Sequence, residues 1–266
     1  MQIGLSTYAF FWQHNRKSRP LTMLDMIKDT KSYGGEVFQI CDYPPLEKAT
    51  TEELKNIADY ADFLEVKLEI GTRGINKEHL LHFKKIAETL RAKVVRTMLH
   101  TPDDKPSNAE ACERLQSVLP FYKEANIQLS LETYEQVPTR QLIDIVCTLN
   151  HSHLGICLDP ANTIASLEMP GDVIKNTAPF VNNLHVKDFH FTRHDGWVGF
   201  SLTGTSLGKG LLNTDLLMNS LNQKKNKELS AILEFWLPFQ GTIEKTIEIE
   251  KKWIEESMNY LRRITT

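Results

Sequence analysis

Residues 127–159, IQLSLETYEQVPTRQLIDIVCTLNHSHLGICLD, contain the repeat on which the fold turns. A β-rich run at 127–132 ends in Glu132, a stretch of helical length follows, and a second β-rich run at 154–159 ends in Asp159. A mostly apolar strand, then a helix, then another such strand is the unit of a parallel sheet covered by helices. The alternation continues in both directions, with strands expected at 2–6, 36–40, 64–70 and 94–98 before this stretch and at 182–188 and 230–235 after it. Eight units in 266 residues suit a (β/α)8 TIM barrel, which typically takes about 250 residues. One domain over 1–266 is therefore expected. A doubly wound open sheet also alternates strand and helix, but no GxGxxG follows the first strand, and the distinctive polar residues are spread over several strand ends.

Helix starts are signalled at Thr51, Asn76, Ser107 and Asn213, whose side chains can accept from the first free N–H groups of a helix. The last helix, 242–263, carries Ile243, Ile247, Ile249, Trp253, Ile254 and Met258 at largely helical spacing. That stripe reads as packing against the barrel wall, not as a binding surface.

A net charge of -3 leaves no electrostatic footprint for nucleic acid, and an apolar content of 41% with 24% charged residues is that of an ordinary globular chain. Cys41, Cys112, Cys147 and Cys157 show no CxxC spacing and read as reduced thiols. No basic-then-apolar leader and no 18-residue apolar stretch is evident, so a cytoplasmic protein that does not engage a membrane is expected.

The chemistry lies at the strand ends. In such a barrel the active site is built on the C-terminal face. Here Leu129-Ser-Leu-Glu132, Ile156-Cys-Leu-Asp159, Asn183-Leu-His185 and Ile232-Leu-Glu234 each end in a potential ligand. Spacings of 27, 26 and 49 residues correspond to one unit, one unit, and one unit with a long extra loop. Three converging carboxylates would repel one another, and a cation would relieve this. One divalent ion is expected, Mn²⁺, Mg²⁺ or Co²⁺ by the oxygen-rich donor set, with Zn²⁺ the remaining option. The ordinary alternative for each acid taken singly is a helix cap or a surface ion pair. Strand parity puts Lys187 on the side of His185 and Trp236 on the side of Glu234. Lys187 could hold a substrate oxygen or an enolate, or pair with Asp188; Trp236 could stack on a sugar, or simply pack.

The runs Leu131-Glu132-Thr133, Leu158-Asp159-Pro-Ala-Asn162, His185-Val-Lys187-Asp188 and Leu233-Glu234-Phe235 resemble the sugar phosphate isomerase/epimerase family. These are xylose isomerase-like barrels that include D-tagatose 3-epimerase, hydroxypyruvate isomerase, inosose dehydratase and endonuclease IV. The resemblance implies that Glu132, Asp159, His185 and Glu234 hold one metal ion. It also implies that the two glutamates move protons on opposite faces of a bound ketose through an enediolate. Asn162 would touch substrate, or else stabilise its turn. The trinuclear zinc nucleases need further strand-end histidines, and His100 is the one conspicuous candidate in the first half. Where the epimerases carry a substrate-binding Arg six residues past the ring imidazole, this chain has Phe191, with Arg193 nearby.

A closer similarity, to barrel decarboxylases of 3-oxo sugar acids such as 3-oxoisoapionate, is carried by Glu69-Ile-Gly-Thr-Arg73, Gly155-Ile-Cys-Leu-Asp159, His185-Val-Lys-Asp-Phe189 and Gly199-Phe200 ahead of Gly208-Lys-Gly210. That chemistry asks for a metal on a β-keto carbonyl, an enolate stabiliser such as Lys187, and a cation for the departing carboxylate. Arg73 and Arg96 stand near the ends of strands three and four for the last role, with pairing to Glu69 or Asp103 as the structural alternative.

The connection 189–212, with Gly196, Gly199, Gly204, Gly208 and Gly210, reads either as a lid whose Phe200 excludes water or as an ordered linker. Phe10, Phe11, Trp12 and Tyr43 follow the first two strands and could wall the pocket, pack, or form a homo-oligomer contact.

These residues lead to a metal-dependent isomerase or epimerase of a sugar-derived keto or hydroxy substrate, with Glu132, Glu234 and Lys187 catalytic and Arg73, Arg96, Asn162, Lys187 and Trp236 binding substrate. A metal-dependent lyase, decarboxylase or dehydratase, of a 3-oxo sugar acid is the alternative, and a non-catalytic sugar-binding barrel the third reading.

Overall fold

The computed structural model describes residues 1–194, 196, 198–222 and 229–265. In chain order its strands are β1 (Gln2–Ser6), β2 (Val37–Cys41), β3 (Lys67–Gly71), β4 (Val94–Thr97), β5 (Gln128–Glu132), β6 (Leu154–Leu158), β7 (Val181–Val186), β8 (Asp188–Arg193), β9 (Phe200–Thr205) and β10 (Ser230–Leu233). Eight of them close into a parallel barrel in the order β1, β10, β7, β6, β5, β4, β3, β2. Register across the closure runs Gln2 to Ser230 and Leu5 to Leu233, so the last barrel strand completes the ring beside the first.

The principal helices around the ring are α1 (Phe11–Asn15), α2 (Met23–Ser32), α3 (Pro44–Lys48), α4 (Thr51–Phe63), α5 (Lys77–Thr89), α6 (Asn108–Glu124), α7 (Thr139–Leu149), α8 (Pro170–Thr177), α9 (Thr214–Asn222) and α10 (Ile243–Thr265). Asn76 and Ser107 cap α5 and α6 as expected, and Asn213 accepts the Leu216 N–H at 2.9 Å at the start of α9. The cap of α4 is Thr50, one residue before the expected Thr51. β3 begins at Lys67, not at 64, because α4 runs on through Phe63 and turns through Leu64 and a left-handed Glu65. On α10 the expected stripe buries Ile247, Ile254 and Met258, but Ile249 is only half-buried, and the neighbouring core position is filled by Glu250, 1% exposed. Each buried aliphatic side chain of that stripe contributes roughly 1.5–3 kcal/mol. Among the described residues no helix is long and apolar enough to cross a membrane. All four cysteines are free.

The connection at 189–212 is more regular than a glycine-rich linker. Its first half is an antiparallel hairpin in which Asp188 pairs with Thr205 and Arg193 with Phe200; positions 195 and 197 lie outside the described residues. The Gly204 N–H donates to Trp236 O at 3.0 Å and joins the hairpin to the barrel rim. Asp188 fixes the return: Oδ1 accepts from Phe189 and Leu212, and Oδ2 from Gly208 and Gly210, all at 2.9–3.0 Å. Gly210 must lack a side chain, since a Cβ there would lie 2.2 Å from Asp188 Oδ1. Asp188 is thus occupied with backbone and is not the partner of Lys187.

Candidate metal centre and active site

Glu132 ends β5, Asp159 follows β6 directly, His185 lies near the end of β7 and Glu234 follows β10, so four strands deliver four potential ligands to one end of the barrel. One donor atom from each falls within 4.8 Å of all the others, and all four residues are buried. The imidazole is central: His185 Nδ1 stands 3.2 Å from Glu132 Oε1, 3.6 Å from Glu234 Oε2 and 4.0 Å from Asp159 Oδ2. His185 Nδ1 and Glu132 Oε2 make no hydrogen bond although both are buried. Unsatisfied buried polar atoms are costly, and a divalent ion among three carboxylates and one imidazole nitrogen would satisfy them. The donor set fits such an ion. Cys41 Sγ forms an overlapping group with His185 and Glu234.

Charge repulsion alone does not require the ion, because two cations already stand among the acids. Arg96 Nε lies 3.1 Å from Glu132 Oε2, and Lys187 Nζ lies 2.8 Å from Asp159 Oδ2 and 3.1 Å from Glu234 Oε2. Arg96 is 1% exposed and donates to Thr72 O at 3.0 Å. It reaches this position past Gly71, where a Cβ would lie 2.9 Å from the Arg96 Cζ. Burial penalises the charged carboxylates; at Asp159 it prevails over Lys187 and raises the pKa, while at the two glutamates the cations outweigh it. His185, Lys187 and Arg96 bring Glu234 down to about 2, while Arg96 and His185 lower Glu132. Burial also opposes the Lys187 ammonium, and Asp159, Glu234 and Glu132 overcome it and raise its pKa. For His185 the same contest ends upward, with Glu234 and Glu132 outweighing burial.

The other expected site residues separate into those at the cluster and those away from it. Asn162 bridges two of its members: Nδ2 donates to Glu132 Oε1 at 3.0 Å, and Oδ1 accepts from Lys187 at 3.2 Å. Trp236 lies beneath the Lys187 ammonium, 4.7 Å from the ring centroid. A cavity of about 160 Å³ adjoins that ring, lined by Tyr8, Phe11, Trp12, Phe235, Trp236 and Leu237 among others. Arg73 pairs with Asp42 at 2.9 Å and with Tyr8, neither Glu69 nor Asp103, and stays partly exposed at the rim. Arg96 is fully enclosed beneath Glu132, so it cannot offer its guanidinium to a substrate carboxylate without leaving that pair. Phe10 is core; Phe200 is 60% exposed with the Arg193 guanidinium stacked 4.5 Å from its centroid. His100 bonds to Pro106 O at 3.3 Å and is not part of the cluster. A wider groove of about 780 Å³, lined by residues of α2, α3 and α4, touches none of the four clustered residues.

The profile of the family described as xylose isomerase-like TIM barrel matches residues 27–264. The chain belongs to the xylose isomerase-like TIM barrel family. Within the curated proteins it is 44% identical to 3-oxo-isoapionate decarboxylase of Pectobacterium atrosepticum over 262 residues, covering 98% of this chain and 95% of that one. D-psicose 3-epimerase from Clostridium cellulolyticum H10 superposes with a TM-score of 0.75 at 13% identity, covering 100% of this chain and 99% of the other. A xylose isomerase-like TIM barrel protein from Mycobacterium smegmatis, in complex with magnesium, superposes at 0.70 with 16% identity, over 98% and 97% of the two chains. These two likenesses are of fold.

Beyond the four strand ends, this member of the xylose isomerase-like family has a buried polar layer that the strand-end reading overlooks. Glu69, Gln39, Asn183 and Ser230 form one connected hydrogen-bond network a strand pleat deeper in the barrel. The signal was parity: Glu69 alternates with Gly71, Gln39 with Cys41, and Asn183 with His185, so all three point inward with the site. Ser6 likewise donates to Glu234 Oε1 at 2.9 Å from the end of β1.

Proposed function

We propose that the chain is a divalent-metal-dependent decarboxylase of a 3-oxo sugar acid, with the ion held by Glu132, Asp159, His185 and Glu234. The observation that carries this reading is the buried Lys187 ammonium, in contact with Asp159 and Glu234 at the centre of the cluster. A divalent ion bound there would polarise the keto oxygen of the substrate. Loss of carbon dioxide breaks the bond between the carboxylate carbon and the α-carbon and leaves the electron pair as an enolate. Lys187 is placed to neutralise that charge and then to give a proton to the α-carbon, recovering its own from solvent. Asn162 and the Trp236 ring hold the ammonium in position. Arg73 at the rim is the cation left to receive the substrate's carboxylate, and the aromatic cavity beside Trp236 suits the C–H face of a sugar.

Epimerisation asks a carboxylate to take up and return a proton. Glu132 is paired with Arg96 and Glu234 with Lys187, and these ion pairs weaken both carboxylates as proton acceptors, which favours the lyase. The 44% identity to a decarboxylase over nearly the whole chain supports the same order. We read 1–266 as one catalytic domain acting on a small sugar-derived substrate.

The test is incubation with a 3-oxo sugar acid labelled with ¹³C at the carboxyl group, with and without Mn²⁺. Metal-dependent release of labelled carbon dioxide is expected. Exchange of a C–H proton for solvent deuterium with the carboxyl group retained would move the assignment to an epimerase. Elemental analysis of the undialysed protein should find near-stoichiometric Mn, Mg, Co or Zn that is lost in Asp159→Ala.

A further inference from the structure

Beneath the cluster, Glu69 is buried, and among the described residues its hydrogen-bond partners are all neutral side chains. Its Oε2 accepts from Gln39 Nε2 and Asn183 Nδ2, both at 2.9 Å, and its Oε1 accepts from Ser230 Oγ. Each of these groups is placed to donate to Glu69, as an ionised carboxylate requires. This dictates the orientation of the Gln39 amide. Its NH₂ group must face Glu69, with the second N–H going to Asn183 Oδ1 at 3.0 Å, so its carbonyl oxygen is turned the other way. That oxygen lies 2.7 Å from His185 Nε2 and also accepts from the Cys41 thiol at 3.0 Å. A carbonyl can only accept, so the proton of the neutral ring is on Nε2. The lone pair is then on Nδ1, the atom that faces Glu132, Asp159 and Glu234 without a hydrogen bond.

We infer that Glu69 and Gln39 are positioning residues: an anion, acting through one amide, fixes the tautomer of His185 and presents Nδ1 to the metal. The inference rests on the proposed metal centre for its functional meaning, while the tautomer stands on the hydrogen bonds alone. A carboxylate is required at the end of the relay, because a neutral amide there could donate to Gln39 and allow its side chain to flip. Flipped, Gln39 would donate toward Nε2, and the ring proton would move to Nδ1, where it blocks the ligand position. Residues that orient metal-bound histidines in this way typically contribute about 10–100-fold to metal affinity.

The experiment uses the full chain and two variants, Glu69→Gln, which is isosteric, and Gln39→Leu, which removes the acceptor. Mn²⁺ affinity is measured by calorimetry, and the ring tautomer by ¹⁵N-histidine NMR at a pH where the ring is neutral. The expected result is Nε2–H in the wild type, mixed or reversed tautomer in the variants, and Mn²⁺ binding weakened about 10–100-fold, with kcat at saturating metal changed much less than affinity. Wild-type tautomer and wild-type affinity in a folded Glu69→Gln would overturn the inference; if that variant does not fold, the same readouts on Gln39→Leu decide. If the wild type binds no Mn²⁺, the proposed metal centre fails, and the tautomer comparison alone then judges the relay.

Discussion

Two layers of buried acid follow one another down the barrel, and they are neutralised by opposite means. At the C-terminal end, Glu132, Asp159 and Glu234 are faced by Arg96, Lys187 and His185; at the two glutamates burial is overcome, Glu234 falling to about 2, although at Asp159 burial still raises the pKa. One pleat deeper, Glu69 is hydrogen-bonded by the dipoles of Gln39, Asn183 and Ser230, with His185 a smaller electrostatic help; burial outweighs them and its pKa is raised. Glu250 on α10 belongs with Glu69, since its partners are the Trp12 and Gln13 N–H groups at 2.7 and 3.0 Å, and burial takes it up to about 7. Enclosure is similar in all three places. What differs is whether a full charge or a set of dipoles stands opposite. Full charges suit a place where negative charge must be accommodated during a reaction, and dipoles suit one where direction has to be held.

The largest effect should come from removing the central cation. Lys187→Met is expected to lower the decarboxylation rate by about 10²–10⁴-fold, measured as carbon dioxide release, and an unchanged rate would take Lys187 out of the mechanism. Arg96→Met strips Glu132 of its charge partner and should cost about 3–5 kcal/mol of stability in urea denaturation. Added Mn²⁺ should return part of that loss, because an ion that binds only the folded state stabilises it. If the loss is the same with and without Mn²⁺, the ion and Arg96 do not share Glu132.

The dipole-held acid has its own signature. A folded-state pKa of about 7 for Glu250 against an ordinary 4.5 means that the folded chain binds this proton more tightly than the unfolded chain does. The stabilisation is therefore complete below pH 4.5 and is lost as pH rises through 7, an amount of about 3 kcal/mol. Glu250→Gln should lack this slope in urea titrations across the window; parallel curves for the two proteins would show that the dipoles, not burial, prevail. The smallest effect is expected at the rim, where Arg73 and Asp42 are partly solvated. Arg73→Ala should cost less than about 1 kcal/mol of stability while raising KM for a carboxylate substrate, and an unchanged KM would remove Arg73 from binding.

Much of this site could be read along the chain. Glu132, Asp159, His185 and Glu234 each end an apolar strand, and a barrel gathers strand ends at one face whatever lies between them. Lys187 followed from parity with His185. Arg96 was visible as a cation near a strand end, but its partner was not: the sequence left it between a substrate carboxylate and a pairing with Glu69 or Asp103, whereas Gly71 makes room for it to turn inward to Glu132. The 189–212 connection showed its glycines but concealed its hairpin, because β8 and β9 pair with each other and stand outside the barrel's own repeat.

By itself, then, the sequence determined the eight-unit period, the closed barrel and the four donors at its mouth, all of which depend on local alternation and on strand polarity. Only the tertiary structure decided which charge meets which. Gln39 and His185 are 146 residues apart and Glu69 and Ser230 are 161 apart, yet each pair is in hydrogen-bond contact. Inside a closed barrel the neighbours of an inward side chain come from other strands at the same level, set by tilt and stagger and not by spacing along the chain.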